Sequence, residues 1–190
     1  MSLIEWLDKL DKRMFTLIQG GPDYEWLDIF FLVVRDAFTW IPLYLFILYF
    51  VYTRNKNKVW LFVMCSIISF TITDRVSAGL LKPFFERPRP CFDETLQPVI
   101  RHLIDCGGMY SLPSSHAANH FGLAAFWLWS ISSITGKRWI WLWIWAALIG
   151  YAQVYVAKHY PFDILVGALL GLITGAGLYW IMKHWPSPEK

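Results

Sequence analysis

The chain has 190 residues, 56% of them hydrophobic and 16% charged, with 12 Trp and a formal net charge of +3. With a mean hydropathy of +0.41 it is excluded from the ordinary soluble class, which carries far more charge. A membrane-embedded protein of one domain (1–190) is expected instead. The small net charge leaves no electrostatic footprint for nucleic acid, and no internal repeat or low-complexity segment is present.

The first segment, SLIEWLDKLDKRMFTLIQ, places Leu3, Leu7, Leu10, Met14, Leu17 and Ile18 at helical spacing. It reads as an amphipathic helix lying on the membrane surface. Its charges argue against a cleavable signal peptide. Residues 26–34 are apolar but short and end at Arg35-Asp36, so they form a half-buried helix or an early extension of the first span. Five stretches then suffice to cross a bilayer core, which takes about 20 residues: 37–53, 59–81, 114–134, 139–156 and 162–182. The expected fold is an all-α integral membrane bundle of about five transmembrane helices, with six as the alternative count. Residues 1–36 form the amphipathic N-terminal segment, 37–182 the helical core and 82–113 an outward loop.

Three polar clusters interrupt the apolar chain: Lys82 to Pro90, Pro113-Ser114-Ser115-His116, and His159 to Asp163. Each lies at a span end, and the five-span count puts all three on one face. On the opposite face, Arg54, Lys56, Lys58, Lys137, Arg138, Lys183 and Lys190 stand against Glu189 alone, a surplus of six positive charges. Residues 1–36 carry four cations and seven acids, and 82–113 carry four of each. The basic side is expected to be cytoplasmic, ringed by Tyr49, Tyr52, Trp60, Trp139, Trp141, Trp180 and Trp185. The clusters then face the periplasm or exterior.

Lys82 ends a span, where snorkelling to the interface is an ordinary role. Arg87-Pro88-Arg89-Pro90 is a stiff extended segment, and stiffness positions a guanidinium for forked phosphate binding. Pro113 and Ser114 or Ser115 suit a helix start, and the free amides of such a start also bind anions. His116 would then lie beside the anion as a proton donor. His120 follows at metal-pair spacing, without the Glu of HExxH proteins. His159 could attack phosphorus and Asp163 could hold its other ring nitrogen; an interfacial His beside a capping Asp is the plainer reading of those two alone.

As an ordered set, these residues resemble the type 2 phosphatidate phosphatase superfamily. Its signature is Lys, six residues, Arg-Pro; then Pro-Ser-Gly-His; then Ser-Arg, five residues, His, three residues, Asp. Lys82, Arg89 and Pro90 complete the first motif. Pro113-Ser114-Ser115-His116 matches the second with Ser115 in place of Gly. His159 and Asp163 match the third, with Ala152-Gln153 in place of Ser-Arg. The resemblance implies phosphate binding by Lys82, Arg89, Ser114, Ser115 and Gln153. It further implies His116 as general acid, His159 as nucleophile, Asp163 as its orienting base, and no metal or cofactor.

Ser115 keeps the amide that Gly would supply. Gln153 replaces a charged hydrogen bond (about 1.5–3 kcal/mol) by a neutral one of about 1 kcal/mol, roughly tenfold or more in rate. Arg75 and Lys158 are the candidate compensating cations. Arg75 lies seven residues before Lys82, on nearly the same face of a regular helix; a buried pair with Asp74 or Asp36 is its other reading. Cys65 is mid-span packing. Cys91 and Cys106 share the outward loop and are expected to form a disulfide in an oxidising compartment.

The function implied is hydrolysis of a lipid phosphate or diphosphate (undecaprenyl diphosphate, lipid A phosphate or phosphatidylglycerophosphate) in a bacterial inner membrane. The bilayer and its lipid phosphate are the expected partners, and the sequence specifies no protein partner. Two alternatives stay open: a lipid phosphotransferase using the same histidine, and a non-catalytic lipid-phosphate binder, which Gln153 keeps alive.

Overall fold

The computed structural model describes residues 2–185; Glu189 and Lys190 of the cytoplasmic charge count lie outside the described residues. Helix α1 (Leu3–Gln19) starts in a reciprocal cap between Ser2 and Glu5, which satisfies amides that the first turn leaves free. Helix α2 (Glu25–Arg35) follows, then a tight turn at Ala37–Trp40 and α3 (Ile41–Arg54). Eleven residues of helix span about 16 Å, half the hydrocarbon thickness, so α2 is a separate half-buried helix. Helix α4 (Lys56–Asp74) runs without a break through a π-helical segment, Arg75–Leu81, into the short α5 (Lys82–Phe85). After the next loop come α6 (Ser115–Thr135), α7 (Trp141–Tyr155) and α8 (Pro161–His184). Helices occupy the five expected stretches within a few residues of their expected ends. Among the described residues, three segments are long and apolar enough to cross a membrane: Ala37–Arg54, Lys56–Phe85 and Pro161–His184.

Helix α6 is the centre of the bundle, buried along most of its length. Gly167, Gly171 and Gly175 let α8 approach it backbone to backbone: a Cβ at Gly167 would lie 2.5 Å from Ser114 O and one at Gly175 2.5 Å from Gly122 O. Small residues every fourth position are how membrane helices pack closely. The approach fixes the start of α6 against the start of α8, where Ser114 N donates to Asp163 O at 3.0 Å.

Of the apolar positions expected to meet lipid, helix α1 leaves Leu3 and Leu17 exposed, with Ile4 and Trp6 beside them, while Leu7, Leu10, Met14 and Ile18 are half-buried. Its other face binds protein through polar groups. Gln19 Nε2 donates to the carbonyls of Val154 and Tyr155 at 2.9 and 2.8 Å, satisfying the free end of α7. Phe15 packs with Leu96, Val154 and Tyr160.

Candidate active site

The polar clusters meet at the N-terminus of α6. Ser114 is the N-cap, its side chain accepting from Ala117 N at 3.3 Å, and Pro113 precedes it in a cis peptide bond. His116 stands in the first turn. His120 is committed elsewhere: Nδ1 lies 2.8 Å from His116 O and Nε2 3.5 Å from Tyr44 Oη. Ser115, which replaces the usual Gly, accepts a 2.8 Å hydrogen bond from Ser77 Oγ. Ser77 is presented by the π-helical segment, a device common at functional sites.

That segment also overturns one expectation. In a regular helix seven residues make two turns. The wider i→i+5 winding takes roughly 4.4 residues per turn, so Arg75 and Lys82 fall on nearly opposite sides. Arg75 is exposed and forms no ion pair among the described residues. It is neither paired with Asp74 or Asp36 nor part of the site. Lys82 faces the cluster, within electrostatic range of Arg89, Asp163, Lys158 and His116.

The loop between α5 and α6 carries Arg89 and is stapled in three ways. Arg89 N donates to Met109 O at 3.1 Å, Ser111 N donates to Arg87 O at 2.7 Å, and Cys91 is bridged to Cys106 with Cα atoms 6.0 Å apart. The Arg89 guanidinium donates to the carbonyls of Cys106 (2.7 Å) and Tyr110 (3.3 Å). Lys158 donates to Asp105 O, and its Nζ lies against Gly107. Burial lowers the pKa of both cations, and for Lys158 the neighbouring Arg89 lowers it further.

His159 and Asp163 bracket the α7–α8 connection. His159 is 3% exposed and Asp163 fully buried; Nδ1 lies 3.5 Å from Asp163 Oδ2, an ion-pair contact that does not meet hydrogen-bond geometry. Asp163 Oδ2 accepts from Tyr160 N at 2.8 Å, so the carboxylate is fixed beside the ring. Burial pushes the His159 imidazole below its usual range, against the pull of Asp163. With Nδ1 turned to the carboxylate, Nε2 is the ring nitrogen left for other contacts. Gln153 is 1% exposed. Its carbonyl accepts from Lys158 N and His159 N at 3.0 and 3.3 Å, and its Nε2 is buried without a partner.

Three further residues belong to this neighbourhood. Arg87 Nη1 is shared between Asp163 Oδ1 and Asp11 Oδ2, each at 2.8 Å, and its guanidinium lies 4.1 Å from the Tyr160 ring centre. Burial works against the Arg87 charge, yet Asp163 and Asp11 hold its pKa above the usual value. Asp11, fully buried on α1, accepts from Phe162 N at 2.9 Å; burial raises its pKa despite Arg87. Arg35, the last residue of α2, comes within electrostatic range of Arg89, Lys158 and His116. In the sequence, the charges of α1 argue only against a signal peptide, and Arg35 reads as the polar end of an apolar stretch. The available signal was the cost of placing ionisable residues beside membrane helices.

A cationic cradle, an imidazole beside a carboxylate and a second imidazole at a helix start together suit transfer of a phosphoryl group. The family model of the PAP2 superfamily matches residues 65–186. A lipid A 4'-phosphatase of Bacteroides thetaiotaomicron is 30% identical, over 96% of this chain and 80% of that protein. The crystal structure of Aquifex aeolicus LpxE superposes with a TM-score of 0.63 at 28% identity, covering 89% of this chain and 94% of that one. A transmembrane PAP2-type phosphatidylglycerolphosphate phosphatase from Bacillus subtilis shares the fold, with a TM-score of 0.71 at 18% identity over 100% and 90% of the two chains.

Proposed function

The chain belongs to the PAP2 superfamily, and on that premise we propose that it hydrolyses a lipid phosphate at an outward-facing site in the bacterial inner membrane. A lipid A-type phosphomonoester is the first substrate, ahead of undecaprenyl diphosphate and phosphatidylglycerophosphate. The observation that carries the reading is the meeting of Lys82, Arg89 and His116 with the His159–Asp163 pair at the start of α6. The similarity to a lipid A 4'-phosphatase supports the substrate order. An apolar groove of ≈ 310 Å³ lined by Tyr44, Ile47, Phe62, Phe70, Leu123 and Trp127 suits an acyl chain, and Tyr44 ties it to His120 beneath the site.

In this reading Lys82, Arg89 and the first amides of α6 hold the phosphate oxygens. Ser114 and Ser115 shape that turn, and Gln153 Nε2 offers a neutral donor. His159 Nε2 attacks phosphorus, the bond from phosphorus to the lipid oxygen breaks, and His116 gives that oxygen its proton. Asp163 holds the Nδ1–H throughout. Water then gives a proton back to His116 and attacks the phosphohistidine, releasing inorganic phosphate. The route uses no metal or cofactor.

The test is phosphate release from a panel of lipid phosphates by purified protein with EDTA present. Release is expected from the lipid A-type monoester, absent in His159→Ala and reduced about 10²–10⁴-fold in His116→Ala. Activity surviving in His159→Ala would sink the mechanism, and loss of wild-type activity in EDTA would sink its metal-free form.

A further inference from the structure

Helix α2 is pinned to α7, the helix that ends at the site. The Phe31 ring lies 4.3 Å from Tyr155 and 5.2 Å from Tyr151 between centres, and Tyr155 Oη donates to Asp28 at 2.5 Å. Trp40 continues the contact, donating to Val34 O at 2.8 Å while its ring meets Trp145 at 5.8 Å. Arg35 comes four residues after Phe31 and seven after Asp28, on the same helical face. It is therefore carried toward α7 and the site, not toward lipid.

Among the described residues, the opposite charge that acts on it is the adjacent Asp36. The Arg35 Nε is buried without a hydrogen-bond partner. The Asp36 carboxylate is turned to Phe38 N at 2.9 Å. The charged neighbours of Arg35 in the site are Arg89 and Lys158, with Lys82 close to both. Asp163 is already divided among Arg87, Tyr160 N and His159. A half-buried guanidinium facing other cations is unfavourable unless an anion joins them. Gln153 Nε2, where the family carries an arginine, is a second buried donor without a partner.

We infer that Arg35 is a phosphate-binding residue of this site, supplied from α2 in place of the arginine that the third motif lacks. The inference rests on the proposed phosphate chemistry but needs only that the site binds a phosphate dianion. Residue 35 lies outside the stretch 65–186 that the family model matches, so a segment added to the core completes the anion site. A guanidinium suits the role because its planar fork can bind two phosphate oxygens at once.

The experiment is titration of the full-length protein in detergent micelles with inorganic phosphate, followed by ³¹P NMR, beside kcat and KM on the lipid panel. Arg35→Gln should weaken phosphate binding about tenfold or more, the difference between a charged and a neutral hydrogen bond. Arg35→Lys should lose less. Adding Gln153→Arg to Arg35→Gln should recover most of the loss, which a merely structural arginine would not allow. Thermal melts identify any variant that fails to fold, and Arg35→Lys then carries the comparison. Unchanged phosphate affinity in folded Arg35→Gln, or no saturable phosphate binding by the wild type, overturns the inference. Phosphate binding that depends on Arg35 in a protein that hydrolyses none of the lipids would uphold it and sink the hydrolase reading.

Discussion

Arg87→Leu is expected to be among the most damaging single substitutions near the site, although the variant residue touches no substrate. One nitrogen, Nη1, contacts both Asp11 and Asp163 at 2.8 Å, and both carboxylates are fully buried while Arg87 is 18% exposed. Two 2.8 Å contacts to one atom put the carboxylate oxygens no more than 5.6 Å apart. At an effective dielectric of about 20, two unit charges at that distance repel by about 3 kcal/mol. Removing one partner of a buried ion pair costs about 3–5 kcal/mol for the same reason. Asp11 is the carboxyl that gives way, because burial already raises its pKa with Arg87 in place. A carboxyl whose folded pKa is raised favours the folded state at low pH and loses that contribution as pH rises through the folded value. The defect of Arg87→Leu should therefore be larger at pH 7 than at pH 5, and Arg87→Leu with Asp11→Asn should recover part of it. The assay is the denaturation midpoint of purified protein in matched micelles across that pH range. Wild-type stability of Arg87→Leu at pH 7, or a double variant no better than the single, would refute the reasoning.

Two further outcomes follow from the geometry. Burial holds the His159 pKa below its ordinary value of 6.5, so kcat/KM should stay on its plateau as pH falls through 6.5, with the acid limb lying lower. Because the folded pKa is depressed, the stability linked to His159 is full above about pH 6.5 and is lost as pH falls; a wild-type acid limb at or above pH 6.5 would contradict the assignment, and His159→Asn should flatten the stability profile. At the α6–α8 contact, a Cβ on Gly171 would lie 2.6 Å from Gly122 N, so Gly171→Ala should destabilise by about 1–3 kcal/mol. Gly177→Ala, with nothing within 4 Å, should be neutral or gain up to about 1 kcal/mol of helix propensity; equal midpoints for the two variants would remove the close-packing argument.

The spans and the motif residues were legible because both depend on local pattern. Runs of apolar residues are visible without tertiary information, and Lys82, Arg89, His116, His159 and Asp163 stand at fixed spacings at the ends of those runs. Long-range docking was not legible. Asp11 and Gln19 sit on the polar face of an amphipathic helix, and polarity alone does not distinguish a face turned to water from one turned to the ends of α7 and α8. Arg75 shows the converse failure. Its seven-residue spacing from Lys82 was read with regular helical winding, and the π-helical segment changed the rotation between them. The Gly167, Gly171, Gly175 spacing was present in the sequence as a close-packing signal, and it explains how Ser114 and Asp163 come within hydrogen-bonding distance across two helices.

Arg87-Pro88-Arg89-Pro90 shows how neighbouring charges come to do different work. Proline holds this segment extended, and successive side chains of an extended segment point to opposite sides. Arg87 and Arg89, two residues apart, would share a side in an ideal strand. The chain turns after Arg89 into the Pro90–Phe92 turn, and their guanidinium groups part. Arg87 goes to the buried carboxylates of α1 and α8 and is neutralised by them. Arg89 is held by neutral carbonyls of the loop that Cys91 and Cys106 close, so its charge is positioned without being cancelled. Lys158 likewise donates to a carbonyl, that of Asp105, with the Asp105 charge nearby. Carbonyl partners fix a cation's direction while leaving its charge for a ligand. On the proposed reading, a site assembled in this way favours entry of a phosphate dianion over remaining empty.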